Sequence, residues 1–388
     1  MRRLLFVVAL LLLPVLAVAQ EWPAYGGDAG GRRYSGAGLI TRDNVHLLAP
    51  AWTFHTGEQP RPGPNGMSFE DTPILADGRL LICTPSDRVI ALDPLTGRQE
   101  WAFDPKLPAD LKPNSDFVCR GVAVWRDEEA PPDAACRTRV ALATLDARVI
   151  ELDLATGRTC EGFGEHGTVT LTPAPSQLYP GELVLDSPPA VLGDALIVGS
   201  SIDDMSRAGT PGADVRALDA RTGAPRWQFD PSPTRDEARL SGGGNVWAPI
   251  AVDTTSSLVF LPTAGPSVSY WGGERPGDDS FVSSVMALDG ATGKPVWRFQ
   301  TTPRWGLFSS STARPSGPSS RSRNGRSRPA TCRARTPRRR SRSPPRPRLL
   351  CRSGSRWTTP GASPSLIGCS AGGRWRRCAR RGSTRRRA

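Results

Sequence analysis

Patterns of histidine and cysteine that would bind zinc are missing from this 388-residue chain. It has three histidines, and no Cys-x-x-Cys pair occurs among its eight cysteines. His46, His55 and His166 lie far apart in the sequence, so we expect them on the surface or in loops. A structural zinc site needs Cys and His ligands at short, regular spacings. The sequence therefore offers no zinc site.

Long apolar runs are also missing after the N-terminus, which excludes a protein with several membrane spans. The one candidate covers residues 4–18, follows Arg2 and Arg3, and ends at the small residues Ala17-Val18-Ala19. A basic start, a short apolar run and a small-x-small site are typical of a secretory signal peptide. We predict a signal peptide over residues 1–19 and a periplasmic mature protein. An uncleaved membrane anchor is the alternative.

Acidic residues and lysine are absent from residues 309–388, which contain 23 arginines. The other 308 residues carry the remaining 27 of the 50 basic side chains and all 37 acidic ones. Their formal charge is therefore −10, and the net charge of +13 is a property of the tail. No aspartate or glutamate follows Asp289.

Three interpretations of this Arg, Pro and Ser-rich tail compete. It could be a basic arm for nucleic acid, a disordered segment, or the product of a shifted reading frame in GC-rich DNA. Residues 358–362, Thr-Thr-Pro-Gly-Ala, can be encoded so that a neighbouring frame reads Asp-Asp-Ala-Trp-Gly. We favour the frameshift, expect residues 303–388 to be disordered, and predict no nucleic-acid partner.

One phrase, Asp-x-x-Thr-Gly, occurs four times after a short apolar stretch. Its glycines are Gly97, Gly157, Gly223 and Gly293, at steps of 60, 66 and 70 residues. Repetition at such a period indicates an array of similar supersecondary units. In three copies an aromatic pair follows at alternating positions: Trp101 with Phe103, Trp227 with Phe229, and Trp297 with Phe299.

Each copy is predicted to be a β-hairpin. The glycine allows a tight connection, and residues two apart share one face of a strand. Further strands are predicted at residues 80–83, 140–143, 195–198 and 258–261. An indole on a single hairpin needs a neighbouring sheet to bury it, so we predict an all-β fold, a β-propeller. A β-sandwich that reuses the hairpin is the alternative.

Four cysteines lie in the repeat region, namely Cys83, Cys119, Cys136 and Cys160. Disulfides are expected between them in an oxidising compartment, and Cys119–Cys136 is the predicted pair.

Several separate motifs in this region occur in the order of one known family. They are residues 21–28 (EWPAYGGD), 33–35, 40–45, 51–58, Cys119-Arg120-Gly121, Ser187-Pro188-Pro189-Ala190, residues 198–201, 244–249 (GNVWAP) and 270–277. Together they resemble the glucose/polyol branch of the dehydrogenases that use pyrroloquinoline quinone (PQQ). The resemblance covers residues 20–302. It implies an eight-bladed quinoprotein propeller, of which four to five blades are present here.

The resemblance also implies a chemistry and a site. A sugar or polyol hydroxyl is oxidised, an aspartate acts as base, hydride passes to PQQ beside a divalent cation, usually calcium, and electrons pass to ubiquinone or another acceptor. Membrane contact is at most peripheral. The positions that match cofactor contacts in this sequence are Trp247, Arg120, Asp203, Asp204, Asn245 and Ser267.

Four of these six residues also have a plainer interpretation, and Asn245 and Ser267 are the weaker candidates for polar contacts. Trp247 could be another packing tryptophan, Arg120 a surface arginine, and the pair Asp203-Asp204 a loop cap. Two positions depart from the family pattern: Asp204 stands where asparagine is common, and Asp116 where histidine is frequent.

The largest departure follows Thr302, where the family has a segment that carries the catalytic aspartate. This sequence has Pro303, Arg304, Trp305 and then the tail, so neither a catalytic base nor a metal ligand is assigned. The polypeptide is expected to be truncated, to bind PQQ weakly at best and to oxidise no glucose. An exported β-propeller scaffold without enzymatic activity is the alternative function.

Overall fold

The computed structural model describes residues 21–59, 66–171, 178–205, 210, 212–232, 242–268 and 281–301. All of them belong to the first of two compact units, Met1–Pro315. The predicted signal peptide (1–19) and tail (303–388) lie outside the described residues. Within the described part the fold is all-β, with one 3-10 turn at Val45–Leu47. No helix there is long and apolar enough to span a membrane.

Four antiparallel sheets of four strands follow one another along the chain, and we call them blades 1 to 4. Blade 1 contains β1 (Ile74–Ala76), β2 (Arg79–Cys83), β3 (Val89–Leu92) and β4 (Gln99–Phe103). Blade 2 contains β5 (Ala123–Arg126), β6 (Thr138–Ala143), β7 (Arg148–Asp153) and β8 (Thr168–Thr170).

Blades 3 and 4 repeat this order, with one small extra sheet. That extra sheet pairs β9 (Leu183–Val184) with β12 (Ser201–Ile202). Blade 3 contains β10 (Ala190–Leu192), β11 (Ala195–Val198), β13 (Val215–Asp219) and β14 (Pro225–Phe229). Blade 4 contains β15 (Ala251–Asp253), β16 (Leu258–Thr263), β17 (Ser284–Asp289) and β18 (Pro295–Gln300). The predicted strands and the predicted propeller are confirmed.

The repeated phrase forms the turn between the third and fourth strand of each blade. In each copy the aspartate accepts hydrogen bonds from the Thr main chain and hydroxyl, as Asp93 does from Thr96 at 2.7 and 2.9 Å. The turn leaves the glycine at the surface of the blade, where the preceding blade can reach it. We call this end of each blade the turn end, and the other, where the first strand begins, the entry end.

Tryptophans of one blade dock on the turn glycine of the next. Trp101 lies over Gly157 and its indole N–H donates to the Leu154 carbonyl at 3.0 Å. Trp227 does the same over Gly293, with a 2.8 Å bond to Gly290. Trp52, which precedes blade 1, covers its Gly97. The indole thus buries its face and satisfies its N–H in a single contact.

Blade 2 lacks the docking tryptophan, and two other side chains take its place. Phe163 and Val169 contact the Cβ position of Gly223, and the Gly164 N–H donates to the Thr222 carbonyl at 2.9 Å. Phe163 is fully buried. The spacing between blades is therefore kept without an indole.

Two glycines with nearly the same positive φ allow the energetic contribution of the docking contact to be measured. Gly157 has φ +70°, and a Cβ there would lie 2.6 Å from Trp101 Cδ2; Gly78 has φ +74° and nothing within 4 Å. Alanine at either position should lower the free energy of unfolding by about 1 kcal/mol, because a residue with a Cβ disfavours positive φ. Only Gly157→Ala also displaces an indole, which adds roughly 1–2 kcal/mol. Urea unfolding should show a larger loss of stability in Gly157→Ala than in Gly78→Ala. Equal losses would contradict the docking of Trp101 on Gly157.

The last tryptophan of the series differs from the others in its exposure. Trp297 is 45% exposed, and Val285, Val296 and Phe299 on the same blade are also exposed. Trp227, at the matching position of blade 3, is 9% exposed. None of the described residues covers Trp297 as blade 4 covers Trp227.

The first strands of blades 2, 3 and 4 line a cavity of about 420 Å³, together with residues 23–26, 28–31 and Arg33. This N-terminal segment bonds to two blades. Trp22 exchanges main-chain hydrogen bonds with Leu75 of blade 1 at 3.0 and 2.9 Å, and Ala29 accepts one from Val252 of blade 4 at 2.8 Å. The first strands are therefore the innermost strands of the array.

Ionic contacts join blades 2 and 3 near the turn end. Arg139 pairs with buried Glu151 at 2.6 Å and donates to the carbonyls of Ala220 and Arg221 at 3.3 and 3.0 Å. Arg221 makes two bonds to Asp127, at 2.9 and 2.8 Å. Both guanidinium groups lie against the Trp125 ring.

Disulfides join Cys83 to Cys119 and Cys136 to Cys160. The predicted pair Cys119–Cys136 is wrong. Cys119 precedes β5 at the entry end, whereas Cys136 follows it at the turn end, so the length of a strand separates them. Each cysteine instead pairs with one at its own end.

Candidate functional site

The candidate cofactor residues all lie at the entry end. Arg120, Asn245 and Trp247 precede the first strands of their blades, and Asp203, Asp204 and Ser267 follow second strands. In an antiparallel four-stranded sheet, the segment before the first strand and the connection after the second emerge at the same end. The propeller topology thus brings distant parts of the sequence to one surface.

Four residues occupy equivalent positions in the four blades. Asp71, Asp186 and Trp247 each stand two residues before the proline that leads into a first strand, and Arg120 stands there in blade 2, where Val122 replaces the proline. We call Asp71, Arg120, Asp186 and Trp247 the entry arc. Each blade contributes one side chain to it.

Hydrogen bonds connect the segments of the entry arc from blade to blade. The Thr72 N–H donates to the Arg120 carbonyl, and the Arg120 N–H to the Asp186 carbonyl, both at 3.3 Å. The Ser187 hydroxyl donates to the Trp247 carbonyl. The backbone of the arc is therefore fixed by its own neighbours.

The Arg120 side chain is held from three directions. Its Nη2 lies 2.9 Å from Glu70 Oε2, its Nη1 lies 2.8 Å from Asp186 Oδ2, and its Cζ lies 5.1 Å from the centre of the Trp247 ring. The Arg120 side chain is 13% exposed. An arginine between two carboxylates and an aromatic face has a defined plane and direction.

Trp247 differs from the docked Trp227, which is buried, in being exposed to solvent. It is 45% exposed, although its main chain is anchored and its ring contacts Arg120. An exposed indole next to a fixed guanidinium suits a flat, anionic ligand, because the ring supplies stacking area and the arginine supplies charge-assisted hydrogen bonds.

The family model described as "PQQ: Glucose/ethanol/alcohol dehydrogenase, beta-propeller domain" matches residues 22–307. The chain belongs to this PQQ dehydrogenase family. It is 35% identical over 299 residues to the quinoprotein glucose dehydrogenase of Escherichia coli K12, covering 73% of this chain and 37% of that protein.

Other members of the PQQ dehydrogenase family are similarly related. The glycerol dehydrogenase large subunit of Gluconobacter oxydans is 33% identical, with coverage of 72% of this chain and 39% of that subunit. The structure of the quinohemoprotein alcohol dehydrogenase of Comamonas testosteroni has a TM-score of 0.59 at 27% identity, with coverage of 74% and 42%. This chain thus spans under half the length of these proteins.

Asp203 and Asp204 add two adjacent carboxylates to the entry end. Asp203 Oδ1 accepts a hydrogen bond from the Met205 N–H at 3.2 Å. Burial, followed by the charge of Asp203, raises the pKa of Asp204 to about 6. A hard divalent cation with oxygen ligands would relieve this repulsion. The chemistry of this carboxylate pair therefore fits the divalent cation that the family resemblance implies.

Asn245 and Ser267 have their polar groups engaged within the protein. Asn245 is buried, and its amide accepts from the Ile202 N–H at 3.0 Å and donates to the Ile202 carbonyl at 2.9 Å. The Ser267 hydroxyl bonds to that of Thr210. Asn245 thus fixes the connection before Asp203, two residues from Trp247. Asp116, the substituted histidine position, is exposed and accepts from the Gly66 N–H at 2.9 Å.

Sequence reasoning missed Glu70, Asp71 and Asp186. A signal for the two aspartates was present, since Asp71-Thr72-Pro73 and Asp186-Ser187-Pro188 share one pattern before a first strand. Their carboxylates carry buried oxygens that have no hydrogen-bond partner among the described residues. Burial is the main cause that raises the pKa of both Asp71 and Asp186.

Asp71 predicts a measurable pH dependence of stability. Burial raises its pKa to about 7 in the folded state, whereas an unfolded aspartate titrates near 4. The stabilising contribution of the bound proton is complete below about pH 4 and is lost as the pH rises through about 7. Asp71→Asn should change the free energy of unfolding little at pH 4 and increase it by roughly 4 kcal/mol at pH 8, since one pKa unit corresponds to about 1.4 kcal/mol. Urea titrations of both proteins at the two pH values would measure this change in stability. The same change at pH 4 and pH 8 would refute the raised pKa of Asp71.

Proposed function

We propose that the entry end binds PQQ and that it is the cofactor site of an enzyme type that oxidises sugar or polyol hydroxyls, with no turnover by this polypeptide itself. The observation that carries the proposal is the fixed Arg120 side chain in contact with the exposed Trp247 ring. When bound, PQQ supplies the two-electron acceptor that takes hydride from the substrate carbon. The protein's part is to bind, orient and polarise that cofactor.

The residues of the entry end fit PQQ in shape and charge. Trp247 offers the planar surface, and Arg120 offers N–H donors to a carboxylate of the cofactor, since a guanidinium has five of them. Asp203 and Asp204 would hold the divalent cation, for which we propose calcium. Asn245 supports Asp203 through its hydrogen bonds to the main chain of Ile202, and we propose that Ser267, bonded to Thr210, supplies a further polar contact.

The substrate class is proposed from the relatives. Their names specify glucose, glycerol, and quinate or shikimate as substrates, and quinone for the last of these enzymes. We accordingly propose a sugar or polyol as substrate and ubiquinone or another respiratory quinone as acceptor, without nucleic acid and with at most peripheral membrane contact. We propose a periplasmic location, which is supported by the two disulfides of the described part.

The proposed binding is tested by reconstitution. The purified 388-residue polypeptide is passed over a gel-filtration column equilibrated with PQQ and calcium, so that weak binding is also detected. We expect PQQ absorbance above that of the column buffer to elute with the protein, and this excess to be lost in Arg120→Ala. A propeller scaffold that binds no cofactor would elute without the excess, which would overturn the proposal and favour the scaffold alternative.

Turnover is predicted to be absent from the same polypeptide. The base expected by resemblance is an aspartate after Thr302, and no acidic residue follows Asp289 in this sequence. General bases commonly contribute 10²–10⁴-fold to rate, so we expect no PQQ-dependent dye reduction with glucose or glycerol above the background. Measurable reduction would show that another residue serves as base.

A further inference from the structure

Asp186 contacts Arg120 of the entry arc through both its carboxylate and its main-chain carbonyl. Its Oδ2 pairs with Arg120 Nη1 at 2.8 Å, and its carbonyl accepts from both the main-chain N–H and the Nη1 of Arg120 at 3.3 Å. The next residue, Ser187, bonds to the main chain of Trp247. The dipeptide Asp186-Ser187 thus connects the arginine of blade 2 with the tryptophan of blade 4.

Glu70, the other carboxylate on Arg120, is less able to fix it. The Glu70 side chain is 43% exposed and makes one contact, to Nη2, whereas Asp186 is 4% exposed. An exposed carboxylate on a flexible chain positions a partner weakly, while a buried and charge-assisted bond defines a direction. Without Asp186, Glu70 would draw the guanidinium toward solvent and away from the ring.

We propose that Asp186 is a positioning residue, whose carboxylate holds the Arg120 guanidinium against Trp247 and so presets this surface for a planar anionic cofactor. The identity of the cofactor rests on the proposed function, whereas the geometry does not. An arginine already lying in its bound orientation loses less freedom when the ligand arrives. The affinity for PQQ should therefore depend on a residue that does not touch it.

The chain provides a matched control at the turn end. Asp127 pairs with Arg221, whose guanidinium lies 5.6 Å from the Trp125 ring centre, so the same three residue types recur. Asp127, like Asp186, is buried. Asp127→Asn removes an equivalent ion pair without touching the entry arc.

The experiment is ¹⁹F NMR of protein labelled with 5-fluorotryptophan, in which each of the 11 tryptophans gives one line. Trp247→Phe and Trp125→Phe assign the two lines of interest. We expect Asp186→Asn to move the Trp247 line by more than its width and to leave the Trp125 line in place. Asp127→Asn should do the reverse. A Trp247 line unchanged by Asp186→Asn overturns the positioning role.

A PQQ titration of the same proteins separates this role from the proposed function. We expect Asp186→Asn to raise the Kd for PQQ at least tenfold and Asp127→Asn less than twofold. Unchanged affinity in Asp186→Asn would overturn the effect on the cofactor. Failure of the unsubstituted protein to bind PQQ would refute the proposed function, and the NMR lines would still decide the positioning role.

A second variant covers the case in which Asp186→Asn does not fold. Arg120→Lys keeps the charge but lacks the planar guanidinium. It should move the Trp247 line by more than its width and leave the Trp125 line in place. An unchanged line would mean that no arginine plane is held on Trp247, which would overturn the proposal.

Discussion

Trp227→Ala is expected to lower the free energy of unfolding by about 4 kcal/mol, and Trp297→Ala by less than about 1 kcal/mol. Both residues occupy the same position of the repeated phrase. Trp227 is 9% exposed, covers Gly293 and donates its indole N–H at 2.8 Å. Its loss would leave a cavity between blades 3 and 4 and an unpaired Gly290 carbonyl. Urea unfolding followed by circular dichroism measures both changes.

Trp297→Ala is the matched control for this prediction. Trp297 is 45% exposed, and its ring contact among the described residues is with Phe260 of its own blade, at 6.0 Å. Exposed side chains contribute little when truncated. Equal losses in the two variants would contradict the model of blade docking, because they would show Trp297 to be as well covered as Trp227.

Arg139→Met is expected to lower the free energy of unfolding by about 3–5 kcal/mol at pH 8. The change leaves Glu151, which is fully buried, without its 2.6 Å partner and removes the bonds to Ala220 and Arg221. Burial raises the pKa of Glu151 to about 7 despite Arg139. The cost should therefore be smaller at pH 5, where the carboxyl is protonated. Unfolding at the two pH values measures the difference.

Two further variants separate charge from packing in this cluster. Arg139→Met combined with Glu151→Leu removes both charges and should recover most of the lost stability. Arg137→Met breaks a pair with Glu128, which is 74% exposed, and should cost less than about 1 kcal/mol. A loss in Arg139→Met that is independent of pH would show that Glu151 is not the origin of the cost.

The sequence predicted the fold well because the repeated phrase carries its own mechanics. Alternation, a turn glycine and an aromatic pair define a hairpin locally, and the period shows that neighbouring hairpins stack. The same local signal failed in blade 2, where Phe163 and Val169 replace the indole at different spacings. Substitutes of that kind depend on the position of the next blade, which one sequence does not reveal.

The arrangement of the candidate site could be predicted from the sequence only in part, for a related reason. Arg120 and Trp247 were found through resemblance, and the structure places them in contact. Asp186 and Glu70 were missed because their role depends on three blades meeting at the entry end. The disulfide prediction failed similarly, since Cys119 and Cys136 are close in sequence but lie at opposite ends of β5. Strand direction, rather than separation along the chain, decides such contacts.

Trp247 and Arg120 are the residues that we propose receive the cofactor. The most direct test is to titrate PQQ with calcium into the 5-fluorotryptophan-labelled protein and to follow the Trp247 line. A saturable shift of this line, with the Trp125 line at the turn end unmoved, is the predicted result. If the Trp247 line stays in place while PQQ saturates the protein, the cofactor binds elsewhere and the proposed site at Trp247 and Arg120 is wrong.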